Sequence, residues 1–322
     1  MAPMMKAVVY DRYGPPEVLR VVNLPVPVPG PRDVLVRIVA TGLNLSDWEA
    51  LVGSPLYSRF GGLRRPRRKV LGSDIAGVVA AVGPAVTRFA VGDEVYGDNL
   101  QRLGGFAEFA IAAESVLAPK PAGLTFAEAS TIPQAGAIAV HGTSGVTPGI
   151  RMLINGGGGG TGAFAIPLAT AAGAHVTGVD NAGKLEFMRA LGADAVIDYR
   201  AEDFTVTGRY DLILDLVAHR SVFAYRRALA PGGRYLAVGG DVGTLLRILT
   251  VGVLAARLSG RRMGVLAVQS GPARFGPVGE RCAAGELGIH IDRTYPLHQT
   301  AEALKRVGEG RALGKVIVEP GA

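Results

Sequence analysis

At 322 residues the chain is long enough for two domains and a sizeable core. Apolar residues make up 48% and charged residues 19%, which excludes a disordered chain and a coiled coil; 46 glycines and 20 prolines suit a turn-rich α/β enzyme. Net charge is +7, but the densest basic cluster, Arg64, Arg65, Arg67, Arg68 and Lys69, has no interleaved aromatic residues. A nucleic-acid partner is therefore not expected. The cluster reads as a solvated loop or as a contact for a phosphorylated ligand. Cys282 is the single cysteine, which excludes an intrachain disulfide and any multi-cysteine zinc site, and fits a reducing cytoplasm.

Residues 4–10 read as a strand, without the apolar core or cleavage site of a secretory signal. Residues 18–22 form a second strand, and Pro25, Pro27, Pro29 and Pro31 then stud an extended connector that cannot be helical. Residues 34–40 alternate and are β. A short helix follows, with Ser46 or Asp47 as its N-cap. Strands are expected near 78–82, 89–96 and 104–111, each bounded by glycine or proline. Short strands with this punctuation predict a β-barrel-like N-terminal domain. From Leu124 the texture changes. Thr125 starts a helix, with Glu128 as its capping-box acid. Strands at 153–155, 174–179, 195–197, 212–216, 235–238 and 265–268 then alternate with helices at 162–172, 184–191 and 221–229. That alternation predicts a doubly wound parallel sheet. The apolar run 245–258 carries Arg247 and Arg257 and is shorter than the roughly 20 residues of a membrane span. It reads as an amphipathic or buried helix, and no membrane partner is expected. A helix at 301–307 and a strand at 314–318 return to the first domain. The expected division is 1–123, 124–271 and 272–322, with the last segment rejoining the first.

The strand at 153–155 runs into five glycines, Gly156 to Gly160, followed by Thr161-Gly162-Ala163. Gly157, Gly159 and Gly162 satisfy G-x-G-x-x-G. The three positions have separate jobs: turning the chain, letting the backbone approach a pyrophosphate, and packing the helix on the strand. Backbone N–H groups at the helix start would hold the phosphates. A run of five glycines matches many patterns by chance, so the strand-to-helix context carries the reading.

The segments MKAVVYDRYGPPEVL, GLNLSD at 42–47, VLGSDIAGVVAAVG at 70–83, FAVGDEVYG at 89–97, the glycine loop, LGADAVIDYRAEDF at 191–204, APGGRYLAVGG at 230–240 and GKVIV at 314–318 stand in order along nearly the whole chain. Together they resemble the medium-chain dehydrogenase/reductase superfamily, nearest its zinc-independent, quinone-oxidoreductase-like branch. The resemblance implies a GroES-like domain and a Rossmann domain, a site between them, and a homodimer. Zinc-dependent relatives have cysteine where this chain has Asn44, histidine-glutamate where it has Ser73-Asp74, and a further cysteine near Ala135. With thiolate and imidazole missing from those positions, no metal is expected. Without a Lewis acid, the expected chemistry shifts from alcohol oxidation to reduction of conjugated acceptors, quinones and α,β-unsaturated carbonyls. An enoyl-thioester reductase and a non-catalytic nucleotide-binding relative are the alternatives.

By resemblance, Asn44 contacts the nicotinamide ribose region, Tyr57 binds the acceptor oxygen or donates a proton, and Asp47 orients the loop. Asn44 and Asp47 as plain helix caps, and Tyr57 as an ordinary loop aromatic, are the competing readings. The implied cofactor set comprises Asn44, Gly157, Gly158, Gly159, Gly160, Thr161, Gly162, Asp180, Lys184, Tyr199, Gly239, Gly240 and Lys315. The choice of dinucleotide is contested. Asp180 closes its strand where an acid binds the ribose hydroxyls of NADH, or it turns aside to cap the next helix. Lys184 and Tyr199 match a pair that holds NADPH in zinc-free relatives. NADPH is slightly favoured, with NADH open.

Overall fold

The computed structural model describes residues 3–59, 62–268 and 271–321. They form two compact units, one of residues 1–137 with 269–322 and one of residues 138–268.

In the first unit, strands β1 (Met4–Val9) and β2 (Arg20–Pro25) make an antiparallel pair. Strand β3 (Asp33–Gly42) is the centre of a larger, mostly antiparallel sheet. It is followed by helix α1 (Leu45–Val52), then β4 (Asp74–Val82), β5 (Glu94–Asp98), β6 (Phe109–Ala113) and β7 (Leu117–Pro119). Strand β3 pairs with both β4 and β6, and β4 with β5. Alternation along β3 and β4 places Val34, Val36, Ile38, Ile75 and Val79 in one core. Two helices close this stretch, α2 (Phe126–Ser130) and α3 (Pro133–Gly142). Thr125 and Glu128 form the expected capping box on α2. Helix α2 packs on β3, β4 and β5, and a Cβ at Gly42 would stand 2.1 Å from the Ser130 carbonyl. That packing is why the unit extends to residue 137 rather than ending at 123 as composition suggests.

The second unit is a six-stranded parallel sheet, built from β8 (Arg151–Asn155), β9 (His175–Asp180), β10 (Ala195–Asp198), β11 (Tyr210–Asp215), β12 (Leu229–Ala237) and β13 (Arg262–Val265). Their order is β10-β9-β8-β11-β12-β13. Helices α4 (Gly160–Ala171), α5 (Leu185–Ala190) and α6 (Val222–Ala228) connect them. Strand interiors are apolar on both faces, with Leu153, Val179 and Ile213 fully buried, as a covered parallel sheet requires. Between β12 and β13 the chain forms α7 (Val242–Arg247), a wide turn (Ile248–Gly252) and α8 (Val253–Arg257). The last strand lies three residues before its expected place, because pairing of Arg234 with Arg262 and of Ala237 with Val265 sets its register.

The chain then returns to the first unit. Helix α9 (Pro272–Ala283) precedes β14 (Ile291–Pro296), α10 (Thr300–Gly308) and β15 (Lys315–Glu319). Strand β15 pairs antiparallel with β3, setting Ile317 against Gly42.

Candidate active site

In the parallel sheet, β8 leads to β9 and β10 on one side, whereas β11 leads to β12 and β13 on the other. The order reverses between β8 and β11, and ligands of such sheets bind beyond the strand C-termini at that reversal. The glycine loop follows β8 at this point. The turn itself is made by Gly156, at φ +86°, and not by Gly157, which packs 2.9 Å (from its ideal Cβ) against the Met188 sulfur. Gly159 caps α4 and meets only the Gly156 carbonyl, at 3.5 Å, so its backbone face stays open. A Cβ at Gly162 would stand 2.1 Å from the Gly157 carbonyl, so the close approach is of helix to loop. With Gly160 and Thr161 as first residues of α4, backbone N–H groups at a 12-residue helix start are left for an anion. This cradle fits a dinucleotide pyrophosphate.

The neighbouring strand ends carry further polar groups close to the glycine loop. Asp180 accepts hydrogen bonds from Gly158 N–H (3.1 Å) and Asn181 N–H (2.9 Å), and lies 3.4 Å from Lys184 Nζ. Asp180 is not a helix cap; the cap is Asn181, which accepts from Gly183 N–H. Asp198, at the end of β10, pairs with Asp180, so Tyr199 and Arg200 follow directly at the same sheet edge. Arg200 donates to the Tyr199 hydroxyl at 3.3 Å, and that bond raises the guanidinium further above its usual range. Gly239 and Gly240, both at positive φ, follow the end of β12, where Val238 N–H bonds to the Asp215 carbonyl.

In the first unit, Asn44 caps α1, and Asp47 is the N3 acid whose carboxylate accepts from Asn44 N–H at 2.9 Å. The expectation of Ser46 or Asp47 as cap is corrected: Asn44 already supplies the cap geometry, and a carboxylate three residues on reaches back to it. The Asn44 side chain is held from both ends. Lys315 Nζ donates to its Oδ1 at 2.7 Å, and its Nδ2 donates to Ser73 Oγ at 3.1 Å. Ser73 in turn donates to Asp47 at 3.3 Å, and Lys315 lies 3.5 Å from Asp74. Asp98 is the cross-strand partner of Asp74. Three buried carboxyls thus share one buried ammonium. Burial pushes Asp47 and Asp98 up to about 7 and raises Asp74, while burial also lowers Lys315.

Beside this network a cavity of about 530 Å³ is lined by Tyr10, Tyr13, Glu49, Tyr57, Arg67 and Arg68, among others. Ser46 and Glu49 of α1 both face it. Burial raises the Glu49 carboxyl to about 7. Two members of the basic cluster, Arg67 and Arg68, therefore line a concavity as well as standing exposed to solvent.

Two family profiles match the chain, the alcohol dehydrogenase GroES-like domain over residues 30–122 and the zinc-binding dehydrogenase over residues 191–318. A 2-methylene-furan-3-one reductase of Solanum lycopersicum is 31% identical, covering 98% of this chain and 79% of that protein. An NADPH-dependent alkenal/one oxidoreductase of Arabidopsis thaliana is 30% identical, covering 98% of this chain and 80% of its own. The solved quinone oxidoreductase of Coxiella burnetii superposes with a TM-score of 0.89 at 28% identity, covering 98% and 99% of the two chains. The chain belongs to the medium-chain dehydrogenase/reductase superfamily, in its quinone-oxidoreductase-like branch.

As a member of that superfamily the protein is an oxidoreductase, with the GroES-like and Rossmann units as the fold. The positions that would hold catalytic zinc do not fit it. They present the Asn44 amide, the Ser73 hydroxyl and Asp74, with the Lys315 cation already among them. Among the described residues, no group of three or more histidine, cysteine or acidic side chains is placed to hold a metal. The zinc-binding profile matches downstream of Asn44, Ser73 and Asp74.

Three groups escaped the sequence reading. Glu49 looked like any charged helix residue until the cavity placed it. Arg200 directly follows Tyr199, and its place near Asp180 depends on the β9–β10 pairing. Gln134 Oε1 accepts from Ser46, while its buried Nε2 has no hydrogen-bond partner among the described residues.

Proposed function

We propose that the protein is a zinc-independent, NADPH-dependent reductase of quinones or α,β-unsaturated carbonyls. The observation that carries this reading is the cavity holding Tyr57 and Glu49 on the α1 side of the Asn44–Ser73–Lys315 network. The bound dinucleotide would supply a hydride. The protein would do the rest. Asn44, fixed by Lys315 and Ser73, orients the nicotinamide end, with Asp47 holding the α1 start. The Tyr57 hydroxyl donates a hydrogen bond to the acceptor oxygen. Glu49, whose carboxyl titrates near neutrality, delivers the proton to the reduced acceptor and recovers one from solvent.

For the cofactor, Arg200 beside Tyr199 supplies a cation that suits a 2′-phosphate, with Lys184 ion-paired to Asp180 at the neighbouring strand end. Asp180 is already engaged by Lys184 and Gly158, which answers its repulsion of that phosphate. We further propose a cytoplasmic homodimer joined through β13, which pairs only with β12 among the described residues. An enoyl-thioester substrate remains the second reading, supported by Arg67 and Arg68 at the cavity, which suit a phosphorylated carrier arm.

The test is spectrophotometric. NADPH and NADH oxidation is followed with 1,4-benzoquinone, 9,10-phenanthrenequinone, an alkenal and crotonyl-CoA. Faster turnover of the first three supports the main reading, and crotonyl-CoA alone supports the second. Tight cofactor binding without turnover of any acceptor means a non-catalytic relative. One tightly bound zinc per chain overturns zinc independence.

A further inference from the structure

The segment from α7 to α8 has three buried residues, Ile248, Gly252 and Ala256, which face the core of the parallel-sheet unit. Its outer side is apolar as well. Leu246, Leu249, Leu254 and Leu258 are all exposed, Leu254 to 62% and Leu258 to 82%, and Phe223 stands exposed on α6, which packs alongside. Spacings of three, five and four residues separate those leucines. The middle step would break the phase of an ordinary helix. Here the wide turn restores it: Val253 N–H bonds to the Ile248 carbonyl, five residues back. The leucines therefore run as one stripe.

Charge along the same segment is mainly positive: Arg247 and Arg257 lie on the helix, and Asp241, which caps α7 beside Arg247, is the one acid from 241 to 279. Arg226 of α6 sits over the Phe223 ring. Exposed leucines with flanking arginines form the surface that beds into the interface of an anionic bilayer, with guanidiniums at headgroup level. No helix among the described residues is long and apolar enough to cross a membrane, so the contact would be in-plane. A second copy fits less well. A two-fold contact of this outer face sets the same patch against itself, bringing two arginines from each copy together with Asp241 as the one carboxylate between 241 and 279 to offset them.

We propose that the outer face of residues 242–258, with Phe223, docks the protein on an anionic phospholipid surface. This departs from the sequence expectation of no membrane partner. It stands apart from the catalytic reading, since binding requires no turnover.

The experiment is co-sedimentation of the full chain with vesicles of equimolar phosphatidylcholine and phosphatidylglycerol, against pure phosphatidylcholine. Binding is expected to the anionic vesicles only, weakening with added salt. Leu249→Asp with Leu254→Asp should abolish it, with thermal unfolding checked for an intact fold. Arg247→Gln with Arg257→Gln should weaken it roughly 25-fold, at about 1 kcal/mol per arginine. Failure of the wild type to bind anionic vesicles at low salt overturns the proposal. So does undiminished binding by the folded leucine variant. A wild-type dimer that the leucine substitutions convert to monomer, with no vesicle binding, assigns the face to a second copy instead.

Discussion

Glu49→Gln separates an acid from a spectator. The Glu49 carboxyl titrates at about 7 because burial disfavours its charged form. A group with that value is about nine-tenths protonated at pH 6, half at pH 7 and one-tenth at pH 8. If it delivers the proton, wild-type kcat/KM falls about tenfold per pH unit above neutrality. Tyr10, Tyr13 and Tyr57 also line the cavity, and Arg67 and Arg68 are its cations. Burial raises Tyr10 to beyond the working range and also lifts Tyr13, so neither competes near pH 7. Glutamine keeps the shape and loses the acid. The variant should fall roughly 100-fold at pH 6 and show a flat profile to pH 8, the usual scale for general acid catalysis. The assay is steady-state NADPH oxidation with a quinone or alkenal across pH 6–9, with cofactor binding measured separately by fluorescence. A variant that keeps the break near pH 7, or loses less than about threefold, refutes Glu49 as donor. A wild type without turnover refutes the catalytic reading itself.

Arg200→Ala should raise KM for NADPH by about 10- to 100-fold and leave NADH nearly unchanged, as expected for one lost charge-assisted phosphate contact. Asp180→Ser should shift kcat/KM further toward NADPH; an unchanged ratio means the carboxylate faces away from the ribose. Gly162→Ala drives a Cβ into the Gly157 carbonyl and should abolish dinucleotide binding or lower the melting temperature of the Rossmann unit; wild-type affinity and stability would refute the close-packing account. Asp98→Asn tests the acid cluster. In the folded protein Asp98 holds its proton up to about 7, against 3.8 ordinarily, so its contribution to stability falls as pH rises through that window and stays unfavourable above it. Asparagine keeps the acceptor for Leu100 N–H, so calorimetry should show a gain of about 1–3 kcal/mol at pH 8 and little change near pH 4. Equal effects at both values contradict the shift.

The fold was legible because its signals are local. Alternating strands, the Thr125 capping box and the glycine loop are written in short windows, and each appears within a few residues of its expected place. What failed depended on neighbours distant in sequence. The start of β13 follows its ladder with β12, and the boundary at 137 follows the packing of α2 on the first sheet. The site divides the same way. Asn44, Asp47 and Lys315 are brought into one network, and Asp180, Lys184 and the glycine loop into another. The positive φ at Gly156 could not be assigned within a run of five equivalent residues. Glu49, Gln134 and Asp98 acquire their character only from burial, which no residue pattern records.

Lys315 reaches Asn44 across 271 positions of chain. The ammonium set among three buried acids is therefore synthesised long after the acids it serves. Until β15 lays itself beside β3, the first sheet has no cation to set against Asp74, and the Asn44 carboxamide has lost one of its two anchors. The parallel-sheet unit needs nothing from that strand for its own ladders. During synthesis the parallel-sheet unit can thus mature while the first unit waits for β15, which makes a chain cut before β15 lose the Asn44 network before it loses the second sheet.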